Sequence, residues 1–448
     1  MKKIVFWLFS MGLVTAVMAQ PADDVRILSL DDCLTTALAN NLPLQRAGNN
    51  ALIARATKMQ AMANFLPDLN ARWNYNLLFG TFWDNIAAKQ VTEQYGSNPN
   101  INSSLLLFNG FANHHLLKAT QYSYAASLHE MDNVRLSTKS SVMTAYLSVI
   151  MDKENLKISE RRLELLEAQL TREVKRESVG VGNMETVYRF RSQVANERLN
   201  LVNSRNQLQS DLLQLIQLLQ MDVDKSYDIE PFEIDERDLL TNELTYSELL
   251  SACMAYSPAL QGALATKEAA YFQYKRRRSA RYPSINFYGQ YGSRYSSQGA
   301  ANPYKGFVVE KAPYMSQMDY NNYKYVELSV SIPLFTQLRT QTGIQTAKLQ
   351  LENAELDVKQ ATLAMTNTVQ KLYLDLISAQ QAYRTARENM ESMEQSYHFM
   401  KTRFETGNTD FYTFLESLNN KNQAEMQLVN ARYSIVFRKK ILDLYRNM

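Results

Sequence analysis

The sequence predicts a mostly α-helical chain with a small β part, built as a tandem repeat, and three observations carry that reading. First, residues Phe108 to Arg205 return as Phe335 to Arg432 with no net insertion: Tyr146-Leu147 meets Tyr373-Leu374, Arg176 meets Arg403 and Gly180 meets Gly407. Second, in each copy a long run without Gly or Pro climbs to a glycine and a second such run comes back, as from Phe111 to Val179 in the first. A wholly helical run of that length is a rod of roughly 100 Å at 1.5 Å per residue. Third, ahead of each hairpin the apolar period drops from that of a helix to two. The repeated unit is therefore a helical hairpin headed by strands.

The chain opens Met1-Lys2-Lys3, followed by an apolar run from Ile4 to Ala19 with Val17-Met18-Ala19 before Gln20. A basic start, an apolar core and small residues at the cleavage point describe a secretory signal peptide over 1–19. No Cys follows that point, so a lipid-anchored mature form is not expected. The 48 basic and 45 acidic residues include Lys2 and Lys3, so cleavage leaves a net charge near +1 that argues for no particular partner. No later stretch has 18 consecutive apolar residues, and no transmembrane helix is expected. The strands of a membrane barrel alternate and escape such a scan.

The first repeat is expected over 20–220. Leu28-Ser29-Leu30-Asp31-Asp32 opens a short helix and Pro43 starts a longer one, a suitable place for a residue without an N–H. Beyond Pro67, Leu69, Ala71, Trp73, Tyr75 and Leu77 alternate with Asn70, Arg72, Asn74 and Asn76, which predicts a strand over about 67–80 between two different media. A return strand is expected over 101–108, with a Gly-, Asn-, Ser- and Tyr-rich connection between them, and a helical hairpin over 111–220. Residues 221–243 are acidic, contain Pro231 and read as a small equatorial linker with room for one strand.

The second repeat, 244–448, starts alike, with Pro258 where the first has Pro43. Its strands are expected over about 283–296 and 324–335 and its hairpin over 337–448. Within that hairpin Met365, Val369, Leu372, Leu376, Ala379, Tyr383, Ala386, Met390, Met393, Tyr397, Met400 and Phe404 form an unbroken heptad seam. The first copy keeps the register at Val142, Ala145, Val149, Leu156, Leu163, Leu166 and Leu170 but sets Asp152 and Ser159 in the seam. Cys33 and Cys253 lie in matching helices at non-matching positions, so a disulfide is not favoured.

Four strands per chain cannot close a barrel, and an open sheet edge is not tolerated in lipid, so several chains must share one barrel. At this point the chain resembles the TolC-like outer-membrane factor family over essentially its whole mature length. The resemblance rests on Phe65-Leu66-Pro67-Asp68-Leu69, Arg281-Tyr282-Pro283-Ser284-Ile285, Leu107-Phe108-Asn109-Gly110, Pro333-Leu334-Phe335 and Phe404-Glu405-Thr406-Gly407, in that setting of repeats. It implies a homotrimer with a twelve-stranded barrel in the outer membrane and a long periplasmic α-barrel. It further implies an exit channel for tripartite efflux or type I secretion, joined to a periplasmic adaptor and an inner-membrane pump of RND, ABC or MFS type.

On that resemblance the adaptor would meet the hairpin tips at Val179, Gly180, Val181, Gly182, Thr406, Gly407, Asn408 and Thr409. Family members commonly close this end with acidic residues just past the second turn; here those positions read Thr413 and Glu416, with Thr186 at the first hairpin. The aperture is thus expected at Thr186, Thr413 and Glu416, with packing of Phe411, Tyr412 and Phe414 in place of missing charge.

Lys275, Arg276, Arg277, Arg278 and Arg281 form the one dense basic run, where helix gives way to strand. It reads as a membrane-surface element facing anionic outer-membrane lipid or a neighbouring subunit's carboxylates, and not as a nucleic-acid site. His114-His115 point about 100° apart on a helix and make a poor metal site. No phosphate-binding glycine loop, Gly-x-Ser-x-Gly or Cys-x-x-Cys is present, so neither cofactor nor enzyme activity is expected. The competing class is a secreted coiled-coil fibre or adhesin, which accounts for the heptads but not for the alternating strands.

Overall fold

The computed structural model describes residues 26–84, 89–231, 239–241, 245–297 and 313–446. The expected signal segment 1–19 lies outside these, as do parts of the linker 221–243 and of the connection between the last two long strands. In chain order the elements are β1 (Arg26–Leu28), α1 (Leu30–Asn40), α2 (Leu42–Ala63), β2 (Asn70–Asp84), β3 (Lys89–Phe108), α3 (Ala112–Ser178), α4 (Met184–Leu219) and β4 (Tyr227–Ile229). The second half gives α5 (Tyr246–Tyr256), α6 (Pro258–Ser279), β5 (Ser284–Gly292), β6 (Tyr295–Ser296), α7 (Tyr314–Tyr320), β7 (Tyr323–Ser331), α8 (Arg339–Glu405) and α9 (Phe411–Arg446). α3 and α8 are each 67 residues, and α4 and α9 each 36, so the duplication legible in the letters is a duplication of form.

Helix starts follow local chemistry. Ser29 and Asp32 cap α1 reciprocally: the Asp32 N–H donates to Ser29 Oγ at 3.1 Å and the Ser29 N–H to Asp32 Oδ2 at 3.2 Å. Thr245 and Glu248 repeat the device at α5, where the Thr245 N–H donates to Glu248 Oε2 at 2.9 Å. Pro43 and Pro258 sit in the first turns of α2 and α6, where their missing N–H leaves nothing unpaired.

The chain divides into two compact units. One, within Leu42–Leu136, Leu244–Leu372 and Tyr445–Met448, holds the antiparallel sheet β2-β3-β5-β7, with β6 also pairing β3. Its register puts Asn70 opposite Asn102, Asn102 opposite Gln290 and Gln290 opposite Tyr325 on one face. Ile101 opposite Tyr291, Phe287 opposite Leu328, and Val326 lie on the other, with Trp73. Trp73, Val326 and Leu328 are 71%, 69% and 63% exposed, so the apolar face is not covered by this chain.

Sequence reasoning placed a loop over about Phe79 to Asn100; the structure makes most of it strand. β2 runs on to Asp84 and β3 begins at Lys89, pairing Tyr75 with Ser97 and Leu77 with Tyr95. These stretches lack regular alternation, so nothing in the side chains announces a strand. Once β2 is laid down, backbone pairing alone extends its partner. In the second hairpin β5 stops at Gly292, β7 stops at Ser331, ahead of Pro333, and the short helix α7 stands in what was read as loop.

The other unit, within Met1–Asn41, Ser137–Glu243 and Tyr373–Leu444, packs the helical hairpins. β1 pairs β4 in parallel, giving the linker one strand, and Leu28, Cys33, Tyr146, Ile150, Leu215, Leu219, Ile229 and Tyr433 are buried together beside it. The buried Tyr146 hydroxyl donates to Glu230 O at 2.7 Å, and Lys153 Nζ donates to Asp228 Oδ1 at 2.7 Å. Both cysteines are free and buried, and burial pushes the Cys33 thiol up to about 12.

The two polar exceptions in the first seam meet polar partners on α4. Ser159 Oγ lies 3.5 Å from Ser204 Oγ. Burial, reinforced by the neighbouring Asp211 carboxyl, pushes Asp152 up to about 6. A carboxyl with a raised folded-state pKa contributes most to stability below its unfolded value, about pH 4, and that contribution is lost as the pH rises through about 6. Asp152→Asn should therefore level a fall in thermal midpoint between pH 4 and 7 that the wild type shows. Parallel melting curves for the two proteins would refute the pairing.

Candidate functional site

The hairpin tips concentrate the features that could act on a partner or an opening. α3 ends at Ser178 and α8 at Glu405, and both close with the same hydrogen-bond pattern. The Gly180 N–H donates to Glu177 O at 2.9 Å and the Val181 N–H to Arg176 O at 3.0 Å. The Gly407 N–H donates to Phe404 O at 3.1 Å and the Asn408 N–H to Arg403 O at 2.8 Å. This is the Schellman closure, whose C′ residue must be left-handed. Gly180 and Gly407 have φ of 79° and 75°.

The tips differ in what they present. The first exposes Val179 and Val181, at 71% and 67%. The second exposes Thr406 and Asn408, with Thr409 half-buried. Gly182 has a different reason to be glycine: a Cβ there would stand 2.5 Å from Glu177 N. Its repeat partner, Thr409, carries a side chain without difficulty.

The returning helices start on caps. The Glu185 N–H donates to Asn183 Oδ1 at 2.9 Å, and the Thr413 N–H and hydroxyl donate to Asp410 Oδ1 and Oδ2 at 3.0 and 2.9 Å. These Thr413 hydrogen bonds hold the Asp410 carboxyl below the usual carboxylate range. Thr413, expected at the aperture, has its hydroxyl proton engaged here. Asp410 was missed by sequence reasoning, although an Asp directly before an apolar-periodic run is an N-cap signal.

Below the tips the hairpins share an aromatic core. Phe190 packs edge-on to Phe411 with centroids 4.6 Å apart, and Phe404 stacks on Phe414 at 4.7 Å. Leu166, Val194, Tyr397 and Leu418 complete the cluster. Phe411 and Phe414, expected to pack at the aperture, are 8% and 0% exposed and belong to this cluster. Their spacing with Leu418 puts all three on one helical stripe, a signal the sequence did carry. Only Tyr412 of that trio is outward, 60% exposed, with the Arg189 guanidinium 4.2 Å from its ring centroid.

Polar links join the same helices. Arg172 Nη1 donates to Glu405 Oε1 at 2.6 Å, Arg161 Nη2 to Glu425 Oε1 at 2.8 Å, and Arg162 Nη2 to Asn419 Oδ1 at 2.8 Å. Arg162 also stands 3.1 Å from Glu197, which is 1% exposed. Glu416 is exposed and has no ion-pair partner among the described residues, while Thr186 is half-buried. The basic run occupies the last turns of α6 and the turn after it.

The model of the outer membrane efflux protein family matches residues 33–220 and 249–442, one match on each repeat. The chain belongs to this family. Its place is accordingly the outer membrane, with the helical part periplasmic, and its family is one of passive channels, not enzymes. Among solved structures, CusC superposes with a TM-score of 0.80 at 16% identity, covering 96% of this chain and 95% of that one. The outer membrane protein VceC of Vibrio cholerae gives 0.77 at 17% identity over 93% and 94%. A protein of Haemophilus influenzae without a described function is 19% identical over 343 residues, 75% of this chain and 69% of that protein. At these identities the solved structures speak for the fold alone.

The tip glycines give a direct test. Gly407→Ala adds a Cβ into open space, so its cost is the left-handed backbone alone, about 1–2 kcal/mol. Gly182→Ala meets backbone and should cost more. Phe414→Ala empties a buried ring site and should cost about 3–5 kcal/mol. Thermal unfolding of the purified variants checks the order; a silent Gly182→Ala contradicts the turn geometry.

Proposed function

We propose that three copies of this chain form one outer-membrane exit channel of a tripartite export system, passively conducting cargo handed over by a periplasmic adaptor and an inner-membrane pump. The observation that carries this is the sheet. It has four long antiparallel strands, an exposed apolar face, a polar face and two open ends, β2 and β7. Lipid accepts the apolar face but not unpaired edges. Pairing β7 of one copy with β2 of the next removes every edge, and three copies give twelve strands around a lumen lined by Asn70, Arg72, Asn74 and Asn286.

Among the described residues no helix is long and apolar enough to cross a membrane, so insertion falls to the strands. Leu349, Leu356 and Leu363 repeat every seven residues on α8 and are 52%, 58% and 63% exposed. Such a stripe wants a partner helix. α2, the helix that leads into the opposite sheet edge, exposes Leu52, Ile53 and Met59 at 60% or more. The same pairing of neighbouring copies would cover both.

In this reading the two repeats, 20–220 and 244–448, are joined by the linker 221–243 after removal of 1–19. The tips meet the adaptor, the first through Val179 and Val181 and the second through hydrogen-bonding groups. Three Glu416 carboxylates form a negative ring that favours cations, with Tyr412 beside it. Lys275, Arg276, Arg277, Arg278 and Arg281 mark the membrane surface, where helix becomes strand. Widening the opening would have to release links such as Arg172 to Glu405 and also part Phe190 from Phe404, Phe411 and Phe414.

Light scattering of the detergent-extracted protein, corrected for bound detergent, should give the mass of three chains. A stable monomer, or solubility without detergent, would overturn the channel. In planar bilayers Glu416→Gln should lower the preference for potassium over chloride; unchanged selectivity would remove Glu416 from the conducting path.

A further inference from the structure

The basic run is not one feature. Lys275 Nζ stands 4.4 Å from the Tyr271 ring centroid, the Arg278 guanidinium 5.8 Å from that of Tyr274, and Arg276 Nη1 donates to Gln273 Oε1 at 3.4 Å. Arg277 has no such partner among the described residues. It lines instead an open groove between α6 and the start of α8, of about 370 Å³, together with Arg339 and Gln350. Neither the Arg339 guanidinium nor the Gln350 side-chain amide has a hydrogen-bond partner among the described residues. Groove volumes of roughly 300–1,000 Å³ are usual for small-molecule sites.

The charge is unbalanced well beyond two side chains. No Asp or Glu occurs from 269 to 309, nor between Glu327 and Glu352, so both walls of the groove are free of carboxylates. Thr342 and Thr346 also line it, but their hydroxyls donate to the carbonyls of Leu338 and Thr342, at 3.1 and 3.0 Å. The donors left facing the groove are two guanidinium forks and an amide. Like charges sharing a concavity repel unless an anion lies between them, and guanidinium forks match the oxygens of phosphate in pairs. Just before Arg339, Leu334, Phe335 and Leu338 are 93%, 81% and 61% exposed, the kind of surface that meets acyl chains.

We propose that the groove between α6 and α8 binds a phosphate-type oxyanion, gripped by Arg277 and Arg339 with Gln350 as a third donor. The anion is either the headgroup of a membrane phospholipid or the phosphate of a solute on its way through the channel. The site lies within one chain; only the source of its anion rests on the outer-membrane reading.

The test uses the full chain, extracted and exchanged into a neutral maltoside to strip lipid. It is titrated calorimetrically with inorganic phosphate and with short-chain phosphatidylglycerol and phosphatidylcholine below their micelle concentrations. Wild type should bind phosphate and phosphatidylglycerol, and Arg277→Gln/Arg339→Gln should weaken both by roughly tenfold or more. Lys359→Gln/Lys371→Gln, which removes two exposed charges of α8 outside the groove, should stay within about twofold, and Arg277→Lys/Arg339→Lys should keep part of the affinity. Phosphatidylglycerol binding more tightly than phosphate assigns the headgroup; equal affinities assign a soluble phosphate.

Absence of phosphate binding to wild type, or undiminished binding to the double Gln variant at unchanged mass and helicity, overturns the site. A preparation that is monomeric yet binds phosphate through Arg277 and Arg339 would sink the channel and leave the groove standing.

Discussion

A sheet that is bare on its apolar face and open at both edges is not a finished structure in any solvent. In water the exposed Trp73, Val326 and Leu328 are unfavourable; in lipid the unpaired backbone of β2 and β7 is worse. Satisfying both demands needs lipid against one face and another copy of the chain at each edge. The exposed leucine stripe of α8 and the exposed apolar residues of α2 obey the same demand, since they belong to helices adjoining β7 and β2. Much of what looks unusual in this chain, including its large exposed apolar surface, follows from one unmet requirement for neighbours.

The duplication shows which parts of the hairpin are structural and which are free to differ. Both copies keep the left-handed glycine, the two closing hydrogen bonds and the lengths of the helices. They differ in the seam, where the first copy accepts Asp152 and Ser159, and at the tip, where valines answer threonine and asparagine. A turn is fixed by backbone geometry, which tolerates little; its outward side chains are under no such constraint. The first copy's polar seam buries the Asp152 carboxyl near that of Asp211, which raises its pKa; the second seam has an apolar residue at each of its positions.

The tips owe their order to the layer beneath. Phe190, Phe404, Phe411 and Phe414 come from three helices of two hairpins and meet in one cluster, so the turns above them are held by a core and not by the turns themselves. Ion pairs and the Arg189 contact with Tyr412 lie at the rim of that cluster. Such rim interactions are individually weak in water. The aromatic core, drawn from both hairpins, is what holds the two together.

The sequence by itself determined the duplication, the hairpins with their glycine turns, the heptad seam and the alternating strands. Each of these is a periodicity or a backbone requirement, and both are written in local letters. It also carried the resemblance that the family match bears out. Tertiary structure decided what depends on pairing at a distance. β3 extends to Lys89 because β2 is there to pair with it, Phe411 and Phe414 turn inward because Phe190 and Phe404 await them, and Asp211 reveals what Asp152 means. Arg277 and Arg339 are 62 positions apart in the chain, and only the fold brings them to one groove. No local pattern encodes such a meeting, since its free energy resides in contacts that exist only after the chain has folded.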